Sequence, residues 1–135
     1  MKSDISFPKV EHVYLAALKE WSDDFMEDTW YVYLINDNDQ PLDSVMVVSK
    51  AFGTLDGEMK KTSLLRHAYM EIPAHAAIKV EMVETSVLAL NNEFMVTYFI
   101  GSTLYDKKFV FRANTINDKA LRDLPVLEKR GVLLM

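Results

Sequence analysis

Short apolar runs that alternate every second residue, each closed by a turn signal, govern what this chain can fold into. A period of two sends successive side chains to opposite faces of an extended strand, and runs rich in Val, Ile, Tyr, Phe and Thr suit that pleated surface. Val10 to Glu20 predicts a first strand, although Leu15-Ala16-Ala17-Leu18 fits a helical turn equally well. Trp30-Tyr31-Val32-Tyr33-Leu34-Ile35 is the clearest strand, and it stops at Asn36-Asp37-Asn38-Asp39-Gln40-Pro41, where side chains cap turns and proline fixes φ. A hairpin is expected to return through Ser44-Val45-Met46-Val47-Val48-Ser49, with Gly53-Thr54-Leu55-Asp56-Gly57 as the next tip.

Lys61 to Met70 is ambiguous, because Leu64, Leu65, Ala68 and Tyr69 fit a helical face while neighbouring residues also alternate. It is taken as a strand, since Ile72-Pro73 ends it without a helix cap. Ile78, Val80 and Met82 then alternate with Lys79, Glu81 and Val83 in a half-buried strand with a wet face. After a loop at Asn91-Asn92, Phe94 to Ile100 is apolar on both faces, as a central strand requires, and Gly101-Ser102 fits a two-residue type II′ turn. Lys108 to Arg112 pairs back onto it.

These runs make about seven strands with no βαβ rhythm, so the expected fold is all-β: an antiparallel two-sheet β-sandwich of the immunoglobulin or fibronectin kind. A chain of 135 residues has room for one domain, spanning 1–135, and can bury roughly two thirds of its unfolded surface. The tail from Asn117 to Met135 changes character, with a short helical or irregular piece before Pro125 and a last edge strand at Val132-Leu133-Leu134.

Composition excludes several chemistries. The chain has no cysteine, which removes disulfides, thiolate metal sites, iron–sulfur clusters and cysteine nucleophiles. The start MKSDISFPK carries no apolar run, and no hydrophobic stretch approaches the ~20 residues of a membrane span, so a soluble cytoplasmic protein is expected. With 15 basic and 20 acidic side chains the net charge is −5, a field that repels phosphate backbones and argues against nucleic acid as a partner.

Four features bear on function. Asn36-Asp37-Asn38-Asp39 resembles the start of a calcium loop, but a loop begun at Asp37 has Leu42 where glycine is needed and Val48 where the bidentate glutamate belongs. A plain turn is expected. His12, His67 and His75 show no metal-ligand spacing, and no serine sits in a Gly-x-Ser-x-Gly elbow, so neither a metal, a cofactor nor an enzyme activity is expected. Lys60 to His67 is the basic run of an acidic chain. As a strand it sets Lys60, Thr62 and Arg66 on one face and Lys61, Ser63 and His67 on the other, either as a charged edge that deters pairing or as an anion site. Lys61, Ser63, Arg66 and His67 are its candidate ligand residues. Finally, Trp30, Tyr31, Tyr33 and Tyr98 lie in strands with large side chains on both faces. One face fills the core; the other is covered by the segment holding Trp21 and Phe25, or by a partner.

Ser49-Lys50 before a glycine-containing tip, Thr62 to His67, Leu90 to Phe94 and Tyr105 to Phe111 together make the chain similar to a family of small, uncharacterised bacterial single-domain proteins, over most of residues 8–135. Members of that family have carried the label of a phenylalanyl-tRNA synthetase alpha subunit. The residues argue against that activity, because a class II synthetase domain is larger and needs an arginine-bearing ATP site on an extended sheet with flanking helices. The resemblance transfers no catalytic residue, and it directs attention only to Arg66, His67, Asn91, Asn92, Asp106 and Lys107. The expected function is therefore a non-enzymatic, cytoplasmic protein-interaction module that self-associates as a homodimer or meets a protein partner. The alternative is a small-ligand or anion binder around Arg66 and His67.

Overall fold

The computed structural model describes residues 8–135; most of the MKSDISFPK start lies outside them. Ten strands follow in chain order: β1 (Val13–Ser22), β2 (Glu27–Asn36), β3 (Leu42–Leu55), β4 (Glu58–Lys61), β5 (Leu65–Ile72), β6 (Ala76–Val83), β7 (Asn91–Ile100), β8 (Thr103–Phe111), β9 (Arg122–Asp123) and β10 (Arg130–Leu134). They form two antiparallel five-stranded sheets. The first has the order β6-β2-β1-β10-β9; the second has the order β4-β3-β7-β8, with β5 pairing the same edge of β3 as β4. The expected all-β sandwich is the architecture observed, with ten strands rather than seven.

The extra strands have local causes. The expected strand at Lys61 to Met70 is broken at Thr62, whose hydroxyl accepts from the Ala51 amide at 2.8 Å while its own amide donates to the Ala51 carbonyl at 2.9 Å. A side chain thus replaces one rung of the ladder, and the edge divides into β4 and β5. Asp56-Gly57 joins β3 to β4 with positive φ at both residues, as a type I′ turn needs, and Gly101 alone has positive φ at the β7–β8 tip, as type II′ needs. In the tail, only Asp118–Ala120 is helical, as one 3₁₀ turn, and β10 pairs β1 with β9 outside it.

One expected hairpin is absent. β2 and β3 do not pair; the chain arches across from the first sheet to the second, and β5 to β6 arches back. Both arches meet at Asn36, which is fully buried. Its Nδ2 donates to the carbonyls of Gln40, Ile72 and Pro73 at 3.0, 3.2 and 3.0 Å, and its Oδ1 accepts from the Asn38 amide at 3.0 Å.

The main core lies between the sheets, built from Leu15, Val32 and Leu34 against Val45, Val47, Phe94, Val96 and Phe111. Phe94 and Phe111 meet edge to face at 6.0 Å. A second, smaller core covers the outer face of the first sheet, where Leu124 and Leu127 of the C-terminal segment pack on Ala16, Leu18 and Ile35. β1 is thereby buried on both faces, which is why Leu15-Ala16-Ala17-Leu18 shows no clean alternation. Gly131 sits where this segment crosses β1: a Cβ there would lie 2.8 Å from the Ala17 carbonyl oxygen and 3.0 Å from Leu124 Cδ1.

Two substitutions test these joints. Asn36→Ala leaves buried carbonyls of both arches without their donor and should cost about 1–3 kcal/mol in urea unfolding. Gly131→Ala forces backbone and roof apart and should cost about 1–3 kcal/mol by the same measurement, with an unchanged m-value.

Candidate functional site

The site grows from an irregularity in β6. Tyr33 pairs with Lys79 and Val32 with Glu81, so Val80 is an extra residue in the ladder. Such a bulge re-aims the side chains beyond it. Val80 is buried in the core, and Glu81 turns inward rather than to solvent. It reaches across the open edge of the sandwich to the second sheet: its Oε1 accepts from Ser49 Oγ at 2.5 Å and from His67 Nε2 at 2.9 Å. Ser49 is itself buried, and the Glu81 side chain is 15% exposed. Tyr69, next along the inner face of β5, belongs to the same group; burial first, and then the negative charge on Glu81, push its hydroxyl above its ordinary value.

Beside this cluster a cleft of about 390 Å³ opens between the sheets. Ser49, Thr62, Ser63, Glu81, Glu84 and Asn92 give it a polar side, and Leu65, Met82, Val87 and Phe94 an apolar one. Asn92 is held by its Nδ2, which donates to the Val87 and Leu90 carbonyls at 2.9 and 3.1 Å. The break between β4 and β5 supplies the wall that holds Thr62 and Ser63.

The four residues expected to form an anion site do not converge. Val47 of the inner face pairs with His67, and Val48 of the outer face with Arg66, so the two side chains leave the sheet in opposite directions. His67 is spent on a carboxylate. Lys61 is exposed on the outlying β4, and Ser63 alone lines the cleft. Of the residues singled out by resemblance, Asn91 accepts from the Ala113 amide at 3.0 Å, a turn contact, while Asp106 and Lys107 lie on β8, away from the cleft.

The expected aromatic surface is corrected in two members. Tyr98 is 1% exposed and stacks on Tyr105 at 5.2 Å inside the sandwich, and Trp30 packs in the main core, so neither meets a partner. Tyr31 and Tyr33 do lie on the outer face of the first sheet, but Lys79 sits 4.1 Å over one ring and 5.8 Å over the other. The Tyr33 hydroxyl donates to Glu20. Burial pushes the Glu20 carboxyl up, yet the bonds from Tyr33 and Lys79 and the charges of Lys79 and Lys129 outweigh it and hold the group below its usual range. Trp21 and Phe25 do not cover that face; they stand exposed at the β1–β2 tip.

Asn92, singled out by resemblance, does line the cleft, whereas Glu81 and Ser49 were not among the expected site residues. Glu81 alternates with apolar neighbours as a solvent-facing residue does, and only the bulge reverses it. No glycine marks that bulge. His75 was an isolated histidine in the sequence; in the fold its Nδ1 meets Asp37 at 2.9 Å and its Nε2 meets Asp39 at 2.8 Å, tying the two arches together. With each nitrogen on a different carboxylate the three groups share no focus, and among the described residues no three His, Asp or Glu side chains converge on a metal position.

Comparison with family models, curated proteins and solved structures finds no match to this chain. Among the described residues no helix is long and apolar enough to cross a membrane.

The His75 clasp makes a pH prediction. The bonds to Asp37 and then Asp39 raise the imidazole above its ordinary 6.5. A raised folded-state value stabilises fully below the unfolded value and is lost as pH rises through the folded one. The melting temperature of the wild type should therefore exceed that of His75→Gln most near about pH 6, and the two curves should converge by about pH 9.

Proposed function

We propose that the chain is a non-catalytic interaction module that self-associates through the outer face of its second sheet. The observation that carries this reading is the asymmetry of the two outer faces. The C-terminal segment roofs the first. The second has no such roof: Met46, Met70, Phe99 and Leu104 are 36% to 93% exposed, with Val48 and Met95 in the next row beyond Met46. Apolar groups gathered on one face of a sheet are removed from water most simply by a second sheet.

Charge supports a second copy as the occupant. Arg66 ends the row of Val48 and Met95 on one side, with Lys108, 3.6 Å from Glu93, on the other, while Asp43 shares the row of Phe99 and Leu104. A two-fold axis lying in the face and across the strands sets the basic row of one copy against the acidic row of the other, and one mutual contact is thereby made twice. Size sets the strength. Four strands ~4.8 Å apart, with outward residues ~6.7 Å apart along each, give a patch of roughly 400 Å². That is about half of what each partner in a stable interface buries, so the dimer should be weak and concentration-dependent.

A non-catalytic role suits the polar cluster. The Ser49 hydroxyl donates to a carboxylate and His67 is bound to that same oxygen rather than to the serine, so the pair lacks the serine–histidine bond of an activated nucleophile. A cysteine-free chain suits a reducing compartment, and we assign the protein to the cytoplasm.

Light scattering over a concentration series tests the reading. The wild type should pass from monomer to dimer in the micromolar range, and Met46→Glu should stay monomeric while melting within a few degrees of the wild type. A wild type that stays monomeric at about 500 µM, or a dimer indifferent to Met46→Glu, would sink it.

A further inference from the structure

The inter-sheet cleft is separate from the proposed dimer face, and its chemistry is of a different kind. Its volume of about 390 Å³ lies in the range of small-molecule sites, and it combines an apolar wall with a few convergent polar groups. We propose that this cleft binds a small organic amine, whose ammonium group docks on the Glu81 carboxylate and whose apolar body lies against Phe94, Val87 and Leu65.

Three observations argue for a cationic ligand. The sandwich does not need a carboxylate at this edge, since the neighbouring inward residues of β6 are apolar and withdrawing a charge from water is costly. The bulge nonetheless aims Glu81 inward, and Ser49 and His67 fix one of its oxygens with two bonds. That is the construction of a positioned acceptor: two donors lock the side-chain angle, and the carboxylate retains lone pairs that those donors do not fill. Glu84 adds a second negative group on the same wall, while Lys50, the basic residue on the lining, has its ammonium 3.7 Å from Glu93. An ammonium with three donors therefore meets carboxylate and the hydroxyls of Thr62 and Ser63, whereas an anion meets repulsion.

The body of the ligand follows from the other wall. Phe94, Val87, Met82 and Leu65 present carbon, which a fully polar molecule such as a sugar would leave unmatched. A short aryl- or alkylamine fits both halves.

Three probes of one shape decide the matter: phenethylamine, 2-phenylethanol and 3-phenylpropionate, each titrated into ¹⁵N-labelled protein and followed by amide shifts. The amine should saturate, with its largest shifts at Ser49, Ser63 and Phe94, and bind at least about tenfold more tightly than the alcohol, with the carboxylate weaker still. Glu81→Gln keeps the size and the acceptor oxygen while removing the charge, and it should weaken the amine about tenfold or more but leave the alcohol unchanged. The proposal is overturned if the amine does not saturate, if the three probes bind alike, if the shifts map elsewhere, or if Glu81→Gln leaves the amine affinity intact. Should that variant fail to fold, the comparison of the three probes on the wild type still decides.

Discussion

One buried amide, Asn36, joins two of the four places where the chain changes sheet. Because its Nδ2 holds carbonyls from both the β2–β3 and the β5–β6 connections, the arches are fixed against each other and not only against their own strands. That decides which faces turn inward. β5 ends one sheet and β6 begins beside it in the other, so His67 and Glu81 face across an edge no wider than a salt bridge. A neutral amide on the inside and the His75 clasp with Asp37 and Asp39 on the outside grip the same two connections, one by hydrogen bonds that pH does not change and one by bonds that it does.

The two sheets then meet different fates. β10 and the segment before it return to the first sheet and bury its outer face, and the ions there follow: Glu20 gathers Tyr33, Lys79 and Lys129. Exposed pairs of this sort contribute only about 0–1 kcal/mol each, so the roof is held by Leu124 and Leu127 against Leu18 and Ile35. The second sheet spends the chain's length differently. β3 runs for 14 residues and must pair β7 on one side and both β4 and β5 on the other, leaving nothing to cover its far face.

Much of this was legible in the sequence because it depends on alternation and turn chemistry. Trp30 to Ile35, Phe94 to Ile100 and the Asp56-Gly57 and Gly101-Ser102 tips are found where the pattern puts them, since side-chain period and positive φ are local properties. What alternation cannot say is whether a turn joins partners or crosses between sheets. Asn36 to Pro41 reads alike in both cases, and the choice was made by carbonyls more than thirty residues away. The division of Lys61 to Met70 hung on one threonine hydroxyl. The site was least legible, for a related reason: a bulge of one residue moved Glu81 from the wet face to the inner one, and Arg66 and His67, adjacent in sequence, are parted by the pleat itself.

That same bulge carries an energetic consequence. A carboxylate has about four acceptor positions, and Ser49 and His67 fill two of them on one oxygen. Burial with incomplete partnership is tolerated only where water or another donor completes the set. Glu81 keeps that access because Thr62 interrupts the edge strand opposite and opens the cleft wall. The broken strand and the bulged strand thus answer each other: one aims a charge inward, and the other leaves room beside it. Closing the break would bury an underbonded carboxylate, and removing the bulge would send it to solvent. Each irregularity is costly alone, and the pair leaves a negative group at the mouth of an apolar cavity.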